Sequence, residues 1–276
     1  MKIHDQDYLR AEQYKTSANL QARIDLHRRF NTNPYDWMLW VFDQLQIQEG
    51  QRILEVGCGP GSLWTANRSR LPAGVRLVLA DLSGGMVAQA RRQLTGPDHS
   101  PGAPVFTYAV ADAQRLPFPD QAFNLVIANH MLYHVPAIPM ALQELRRVMK
   151  PGARFFAATN GRQHMVDLYD LVEDYAPQVA RLRNSIRRFS LENGPEQLQD
   201  FFAGVHTQPY AADLDVTAVE PLLAYLNSSW SFAEALSPEQ QQELEAHIRT
   251  RFAQHNRLYI RKSQGLIAAH KLDNAS

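Results

Sequence analysis

A glycine-rich turn after an apolar segment is the part of this sequence best suited to bind a ligand. Residues 53–61 read Ile-Leu-Glu-Val-Gly-Cys-Gly-Pro-Gly, so the apolar run leads directly into closely spaced glycines. Glycine lets the backbone approach a ligand closely and adopt positive φ. The spacing is G-x-G-x-G rather than the G-x-G-x-x-G of dinucleotide-binding turns, and Glu55 lies two residues before Gly57. The turn therefore favours a nucleotide-like ligand over a nicotinamide dinucleotide held by its pyrophosphate.

Acidic and amide side chains follow the glycine turn at the ends of predicted strands. Asp81 lies 24 residues after Gly57, where a carboxylate can accept hydrogen bonds from both hydroxyls of a ribose. Asp112, within Ala-Asp-Ala, can accept a hydrogen bond from the amine of an adenine. Each also has a structural alternative, since Asp81 can stabilise a helix N-terminus and Asp112 can form a local turn. Because ligands bind at the carboxyl ends of parallel strands, both residues and Asn129 should converge with Glu55 on one crevice.

Alternating strands and helices must position these residues. We expect five parallel strands and two later strands that are antiparallel to each other. Ser83 is placed to cap a helix that carries Met86, and another helix is predicted over Ile138–Val148. The pattern predicts an α/β, Rossmann-like fold with a seven-stranded, mostly parallel sheet and helices on both faces. The predicted strands are Arg52–Glu55, Arg76–Asp81, Val105–Val110, Phe123–Ala128, Ala153–Asn160, Val205–Tyr210 and Gly265–His270.

The length of 276 residues suits one large domain with additions better than two full domains. We expect a helical cap over residues 1–48 and a ligand-binding core over 50–160. A lid insertion, with a helical segment at 162–190, the sixth strand and further helices, is predicted over 161–256. The last strand is expected within 257–276.

The charge balance argues against polyanionic partners. Lys and Arg together number 28, as do Asp and Glu, so the formal net charge is zero and no overall field attracts nucleic acid or an anionic membrane. Cys58 is the single cysteine, which excludes an internal disulfide and indicates a reducing, cytoplasmic setting. The longest apolar stretches, such as Trp37 to Phe42, fall far short of the ~20 residues of a membrane span. We therefore expect neither export nor membrane insertion, and the scattered histidines predict no metal site.

Taken together, these motifs resemble those of the class I methyltransferases that use S-adenosylmethionine (SAM). The segment Glu55–Gly61 is similar to the family's first motif and Asp81 to its ribose-binding acid. Ala111-Asp112-Ala113 is similar to its adenine motif, and Arg147–Gly152 to the turn before its fifth strand. The resemblance covers roughly residues 40–160, and its motifs occur in the family's order and spacing.

The resemblance implies transfer of a methyl group from SAM to an oxygen, nitrogen or carbon of a small molecule. The reaction would be an in-line displacement that releases S-adenosylhomocysteine. Asn124 departs from the family, which often has Asp there, and this should have little effect on the cofactor. The residues expected to contact the cofactor are Glu55, Gly57, Cys58, Gly59, Gly61, Asp81, Leu82, Met86, Asp112, Ala113, Asn129 and Arg23.

Side chains near the expected methyl position are candidates for catalytic roles. His130, Tyr133 and His134 follow the fourth predicted strand, and a histidine can remove a proton from a hydroxyl, a carbon acid or a protonated amine. The alternative is that Tyr133 and His134 only cap the loop. On the N-terminal helix, Arg23 and His27 share a face, and Arg23 could pair with the cofactor's carboxylate or simply be solvated.

Two other functions stay open at this point. One is a protein or nucleic-acid methyltransferase on the same fold, which the neutral charge disfavours. The other is a protein that binds SAM without transferring methyl, as a cyclase, a decarboxylase or a regulatory subunit, because fold does not fix function. Either a monomer or a homodimer is compatible with the sequence.

Overall fold

Apolar strands and amphipathic helices alternate along most of the chain. The computed structural model describes residues 18–96, 102–173, 188–228 and 236–272. The helices in these ranges are α1 (Ala18–Phe30), α2 (Trp37–Leu45), α3 (Ser62–Asn67), α4 (Gly84–Leu94), α5 (Ile138–Val148), α6 (Val166–Glu173), α7 (Gly194–Gln199), α8 (Val219–Asn227) and α9 (Pro238–His255). The strands are β1 (Arg52–Val56), β2 (Arg76–Asp81), β3 (Val105–Val110), β4 (Phe123–Asn129), β5 (Met149–Asn160), β6 (Ala203–Pro209), β7 (Leu214–Val216), β8 (Leu258–Ile260) and β9 (Gln264–His270).

Seven of these strands form one sheet in the order β3-β2-β1-β4-β5-β9-β6. Strands β1 to β5 are parallel, whereas β9 is antiparallel to both β5 and β6. The predicted fold class is confirmed, including the antiparallel pair at the end of the chain. The strand order reverses at β1, whose neighbours are β2 and β4. In open α/β sheets a crevice forms at this reversal, beyond the carboxyl ends of the strands.

Both faces of the sheet are covered by helices because its central strands are apolar on both sides. Ile53 and Leu54 point to opposite faces and are each 0% exposed. Leu54 belongs to an apolar cluster with Phe155 and residues of α5. Ile53 belongs to a second cluster that contains Trp64 of α3 and residues of α2 and α4. Burial on both faces fixes the strand ends that carry the polar residues.

A third apolar cluster lies outside the sheet. It joins α1, α6, α8 and α9 with a two-stranded sheet formed by β7 and β8 and includes Leu26, Leu214, Leu222 and Ile248. This small sheet was missed by the sequence analysis, because strands of three residues are too short to show a periodic pattern. The cap and lid predicted over 1–48 and 161–256 fall partly here, whereas residues 1–17, 174–187, 229–235 and 273–276 of the predicted ranges lie outside the described residues.

Strand β5 begins earlier than predicted. The sequence analysis placed its start at Ala153, after a turn at Pro151 and Gly152, whereas the strand begins at Met149. Met149 pairs with Phe123, and the register with β4 shifts before Leu125. Gly152 has φ of 68°, which accommodates the irregularity.

Replacing Phe155 by Ala should destabilise the fold substantially. Phe155 is fully buried, and its ring stacks on that of Phe202 with 4.8 Å between centroids. Loss of this packing should lower the free energy of unfolding by about 3–5 kcal/mol, measured by urea denaturation. The control is Val110→Ala, since Val110 is 58% exposed and its truncation should change stability by less than about 0.5 kcal/mol. Equal losses in the two variants would contradict the assignment of the core.

Candidate ligand-binding site

A cavity of about 780 Å³ lies at the carboxyl ends of the central strands. This volume is in the upper part of the range of about 300–1,000 Å³ that is usual for small-molecule sites. Its wall combines strand-end residues of the sheet with residues of α1, α2 and α8 and the segment before β9. The predicted crevice at the strand reversal is therefore bounded both by the sheet and by the helices outside it.

The glycine turn forms one wall of this cavity. Gly57 and Cys58 donate their backbone N–H groups to the carbonyl of Ala80, at 2.8 and 3.0 Å. A Cβ atom on Gly57 would lie 2.6 Å from Met131, whereas one on Gly59 would meet no protein atom within 4 Å. Gly59 has φ of 53° and lines the cavity. The turn thus exposes bare backbone to a ligand at Gly59.

Gly61 has a different role from the other two glycines. It is not among the residues that line the cavity. A Cβ atom there would lie 2.9 Å from Leu94 and 3.3 Å from Ala90, both on α4. Its backbone has φ of 80° and precedes α3. Close packing against α4 and this positive φ account for the glycine, so the structure does not bring Gly61 to the predicted contact with a ligand.

Asp81 connects the glycine turn to the start of α4. Its Oδ2 accepts a hydrogen bond from the backbone N–H of Gly59 at 2.9 Å, and its Oδ1 accepts one from Ser83 at 2.8 Å. Ser83 caps α4 by accepting a hydrogen bond from the backbone of Met86. Burial raises the pKa of Asp81, and the two backbone hydrogen bonds act in the opposite direction. Each carboxylate oxygen keeps lone pairs for a ligand.

Glu55 lies behind the glycine turn and is 2% exposed. Trp64 donates its indole N–H to Oε2 at 2.5 Å, and the Asn129 amide donates to Oε1 at 2.8 Å. Burial raises the pKa of Glu55 to about 8, aided by the charge of Asp81 and opposed by the hydrogen bonds from Asn129 and Trp64. The carboxyl group is therefore mostly protonated at neutral pH. It links β1, α3 and β4 at the base of the cavity.

Asp112 is the third acidic residue on the cavity wall. Its Oδ1 accepts a hydrogen bond from the backbone N–H of Gln114 at 3.0 Å, and the Gln114 side chain donates to both carboxylate oxygens at 3.2 and 3.1 Å. The local turn that was the structural alternative is therefore present, and Asp112 nevertheless lines the cavity.

Four further predicted contacts also line the cavity, namely Cys58, Leu82, Met86 and Ala113. The Cys58 side chain is buried, and burial raises its pKa well above the usual value for a thiol. A thiol that stays protonated is a poor nucleophile. Packing next to the turn is the role that this geometry supports for Cys58.

The candidate catalytic residues follow β4 and line the same cavity. His130 has φ of 50° and donates its backbone N–H to the carbonyl of Ala158 at 2.9 Å. The next residues form a short 3₁₀ turn, Leu132–His134, in which the rings of Tyr133 and His134 are 4.5 Å apart. Burial, with a smaller effect of the nearby Lys262, lowers the pKa of His130 to about 4. Its imidazole is neutral at physiological pH and can accept a proton.

Arg23 reaches the cavity from α1. Its guanidinium donates to the backbone carbonyl of Ser228 at 2.9 Å and contacts the hydroxyl of the same residue at 3.4 Å. This contact holds α1 against the end of α8. Arg23 is thus anchored by protein groups as well as facing the cavity, rather than being a solvated side chain.

Several cavity residues were missed by the sequence analysis, which named His27 only as a neighbour of Arg23 on one helix face. His27, His164, Tyr225 and Lys262 all line the cavity. They come from four separate parts of the chain and share no spacing that would have revealed them. No group of three or more metal-ligating side chains occurs among the described residues. Within the same ranges, no helix is long and apolar enough to cross a membrane.

Comparison with known proteins finds matches to the part of the chain that carries the glycine turn and the acidic strand ends. Residues 54–157 match a family described as "Methyltransferase domain". The demethylmenaquinone methyltransferase of Symbiobacterium thermophilum is 34% identical over 122 residues, which is 43% of this chain and 47% of that protein. The ubiquinone/menaquinone biosynthesis C-methyltransferase UbiE of Hahella chejuensis is 36% identical over 120 residues, which is 43% of this chain and 46% of that protein. The chain thus spans about half the length of the curated relatives it matches.

A solved structure shows a similar fold over a longer stretch. Phosphoethanolamine N-methyltransferase 2 of Haemonchus contortus superposes with a TM-score of 0.57 at 19% identity. The superposition covers 97% of this chain and 60% of that one. At this identity the likeness concerns the fold alone.

Replacing Glu55 by Gln should change how stability depends on pH. In the wild type the folded state holds a proton on Glu55 up to about pH 8, whereas the ordinary glutamate pKa is 4.5. Stability should therefore fall as pH rises from about 5 to 8, because the folded state binds more protons than the unfolded one. The variant lacks this titration. The difference between its free energy of unfolding and that of wild type should therefore increase by more than about 1 kcal/mol as the pH rises through that window.

Urea denaturation at pH 5, 7 and 8.5 checks this expectation. The control is Glu144→Gln, because the Arg147 guanidinium lowers the pKa of Glu144 and keeps it ionised throughout the window. Its difference from wild type should not change with pH. A constant difference for Glu55→Gln as well would show that Glu55 is ionised in the fold.

Proposed function

We propose, from the premise that residues 54–157 form a methyltransferase domain of the class I fold, that this chain transfers a methyl group from SAM to a small molecule and releases S-adenosylhomocysteine. The observation that carries the proposal is the arrangement around Asp81. Its carboxylate binds the backbone of the glycine turn on one side and of α4 on the other, and it lines a cavity of suitable size. The solved Haemonchus methyltransferase is itself described in complex with S-adenosylhomocysteine.

The cavity residues fit the cofactor chemically. Asp81 offers free lone pairs for the two ribose hydroxyls, and Asp112 offers an acceptor for the adenine amine. Gly59 leaves room for close approach, since a Cβ atom there would meet no protein atom within 4 Å. Asn129 has a buried amide oxygen with no hydrogen-bond partner among the described residues, which a ligand amine could satisfy. The apolar part of the wall comes from residues such as Leu82 and Met86.

SAM supplies an electrophilic methyl group on a sulfonium, so the protein mainly has to orient the acceptor and exclude water. Orientation of two bound reactants can contribute about 7–11 kcal/mol to lowering a barrier. The helices outside the sheet, α1 and α8, complete the cavity wall and restrict solvent there. We include in the proposal that these helical additions act as a cap and lid over the cofactor.

His130, Tyr133 and His134 are the proposed contacts to the acceptor. His130 follows the strand end that carries Asn129, and its neutral imidazole is the candidate acceptor of a proton from a hydroxyl or a carbon acid. Burial lowers its pKa to about 4, which makes it a weaker base than an ordinary histidine. Tyr133 and His134 lie within the same short turn. This assignment is required only if the acceptor must lose a proton during transfer.

A small-molecule acceptor is favoured by the volume of the cavity and by the zero formal charge of the chain. Two relatives named for menaquinone or ubiquinone biosynthesis make a reduced demethylmenaquinone the first compound to assay. A SAM-binding protein without methyl transfer is the second candidate, and release of S-adenosylhomocysteine distinguishes the two. A cytoplasmic location and a monomeric or homodimeric state belong to the same proposal.

Calorimetric titration with SAM and S-adenosylhomocysteine tests the cofactor site. We expect micromolar binding by the wild type and a ten- to hundredfold weaker Kd in Asp81→Ala, because about 1.5–3 kcal/mol is typical of hydrogen bonds to a charged group. Asp120→Ala is the matched control, since the Asp120 side chain is 71% exposed and pairs with Arg147 at the surface. Its affinity should equal that of the wild type. Absence of binding to either ligand would rule out the proposed function.

Replacing His130 by Ala should slow methyl transfer while leaving cofactor binding intact. With reduced demethylmenaquinone and saturating SAM, loss of a general base should lower the rate of S-adenosylhomocysteine formation about 10²-fold or more. His206→Ala is the control, since His206 is exposed on β6 and hydrogen-bonds its own strand. Unaltered rates in both His130→Ala and His134→Ala would exclude a base at this turn.

A further inference from the structure

A group of four basic side chains lines one part of the cavity. We call His27, His130, His164 and Lys262 the basic cluster. All four line the cavity. They come from α1, the segment after β4, the segment between β5 and α6, and the segment between β8 and β9. None of them belongs to the motifs that the cofactor explains.

The members of the basic cluster are close neighbours. The rings of His27 and His164 are 6.0 Å apart, and that of His27 lies 5.8 Å from Tyr225. The Lys262 ammonium donates to the side-chain oxygen of Asn31 at 3.0 Å and lies 5.9 Å from the Tyr210 ring. The charge of Lys262 influences all three histidines.

The cluster carries one positive charge at neutral pH. Burial lowers the pKa of His27 to about 3 and that of His130 to about 4, so both are neutral, and burial holds the pKa of His164 low as well. Lys262 has a pKa lowered by burial to about 8 and stays charged. Within the described residues no carboxylate forms an ion pair with the Lys262 ammonium; the Asp213 carboxylate accepts a hydrogen bond from the Lys262 backbone N–H at 2.8 Å and raises the pKa of Lys262. A partly buried ammonium bonded only to a neutral amide is a site for an anion.

Two of the imidazoles also have hydrogen-bonding groups with no protein partner. The Nδ1 atoms of His27 and His164 are buried and make no hydrogen bond to the described part of the chain. Buried polar atoms are nearly always satisfied in folded proteins, so an exception on a cavity wall points to a ligand. His27 can present its Nδ1–H to an oxygen by its choice of tautomer, whereas His164 already donates to the backbone of Ser263.

We propose that Lys262, with His27, binds a singly charged oxygen group of the methyl acceptor. This rests on the proposed function, since it assigns the substrate end of the same cavity. Arg28 pairs with Asp25, and Arg23, which also lines the cavity, is the residue expected to bind the carboxylate of the cofactor. The Lys262 ammonium is then left to balance one negative charge of the acceptor, and a dianionic phosphate would leave one charge uncompensated. The rings of Trp37 and Tyr225 line the same space, which favours an acceptor with an aromatic or apolar body.

Calorimetric binding of benzoate, benzamide and phenyl phosphate, each in the presence of saturating S-adenosylhomocysteine, tests this assignment. Benzoate and benzamide have nearly the same shape and differ in charge, and phenyl phosphate is a dianion above neutral pH. We expect wild type to bind benzoate at least tenfold more tightly than benzamide or phenyl phosphate. Lys262→Met should weaken benzoate at least tenfold and leave benzamide and S-adenosylhomocysteine unchanged.

Lys150→Met is the matched control. Lys150 also donates to an asparagine side-chain oxygen, that of Asn124 at 3.3 Å, and it does not line the cavity. Benzoate binding should be the same in this variant as in wild type. Equal affinities for benzoate and benzamide, tighter binding of phenyl phosphate, or no effect of Lys262→Met would each overturn the proposal. Loss of S-adenosylhomocysteine binding in the wild type would instead contradict the proposed function.

A measurement on the wild type keeps the test valid if Lys262→Met fails to fold. The groups that face Lys262 are His27 and His130, which have pKa values of about 3 and about 4 and stay neutral in this window, His164, whose pKa burial also lowers, and Asp213. Benzoate affinity should therefore be constant between pH 6.5 and 7.5. It should fall about tenfold per pH unit above about pH 8, as Lys262 loses its proton. Affinity that does not change up to pH 9.5 would exclude Lys262 as the anion partner.

Discussion

The buried carboxyl group of Glu55 is the interaction on which the cavity depends. It receives hydrogen bonds from Trp64 on α3 and from Asn129 at the end of β4, so it ties together the three elements that meet where the strand order reverses. A polar group with 2% exposure costs free energy unless it is fully hydrogen-bonded. Because the buried carboxyl group needs both hydrogen bonds, the Trp64 and Asn129 donors are held in place beside it. This network positions the strand ends, the glycine turn and His130, which directly follows β4.

Asp81 extends this network from the base of the cavity to its rim. Its oxygens accept hydrogen bonds from the glycine turn and from the start of α4, so the role at a helix N-terminus considered for it is present. Such a carboxylate is pre-oriented, and a ligand that uses its remaining lone pairs loses little entropy in ordering it. The three glycines of the turn have different surroundings. Gly59 opens backbone to the cavity, whereas Gly57 and Gly61 allow close packing against Met131 and α4.

The cavity has opposite electrostatic character on its two walls. Asp81 and Asp112 lie on the wall made by the sheet, and His27, His164 and Lys262 lie on the wall completed by α1 and the segments before α6 and β9. Burial keeps the imidazoles neutral, so that Lys262 carries the charge of the basic cluster. A cofactor and an acceptor with different charges would thus bind to different walls of the same cavity. This division gives a physical reason for a helical layer outside the sheet. The outer layer supplies basic side chains that the strand ends lack.

The sequence by itself determined the sheet, the glycine turn and the acidic strand ends. Each of these depends on residues that are near in sequence, such as the apolar run before Gly57 or the cap at Ser83, and local patterns record such contacts. The tertiary structure alone decided that Gly61 faces α4, that Arg23 is anchored by Ser228, and that His27, His130, His164 and Lys262 meet. Up to 235 residues separate members of that group along the chain, so no spacing constrains them. Only the packing of the outer helices against the sheet brings them to one cavity, and that packing comes from apolar contacts which do not encode which polar residues they bring together.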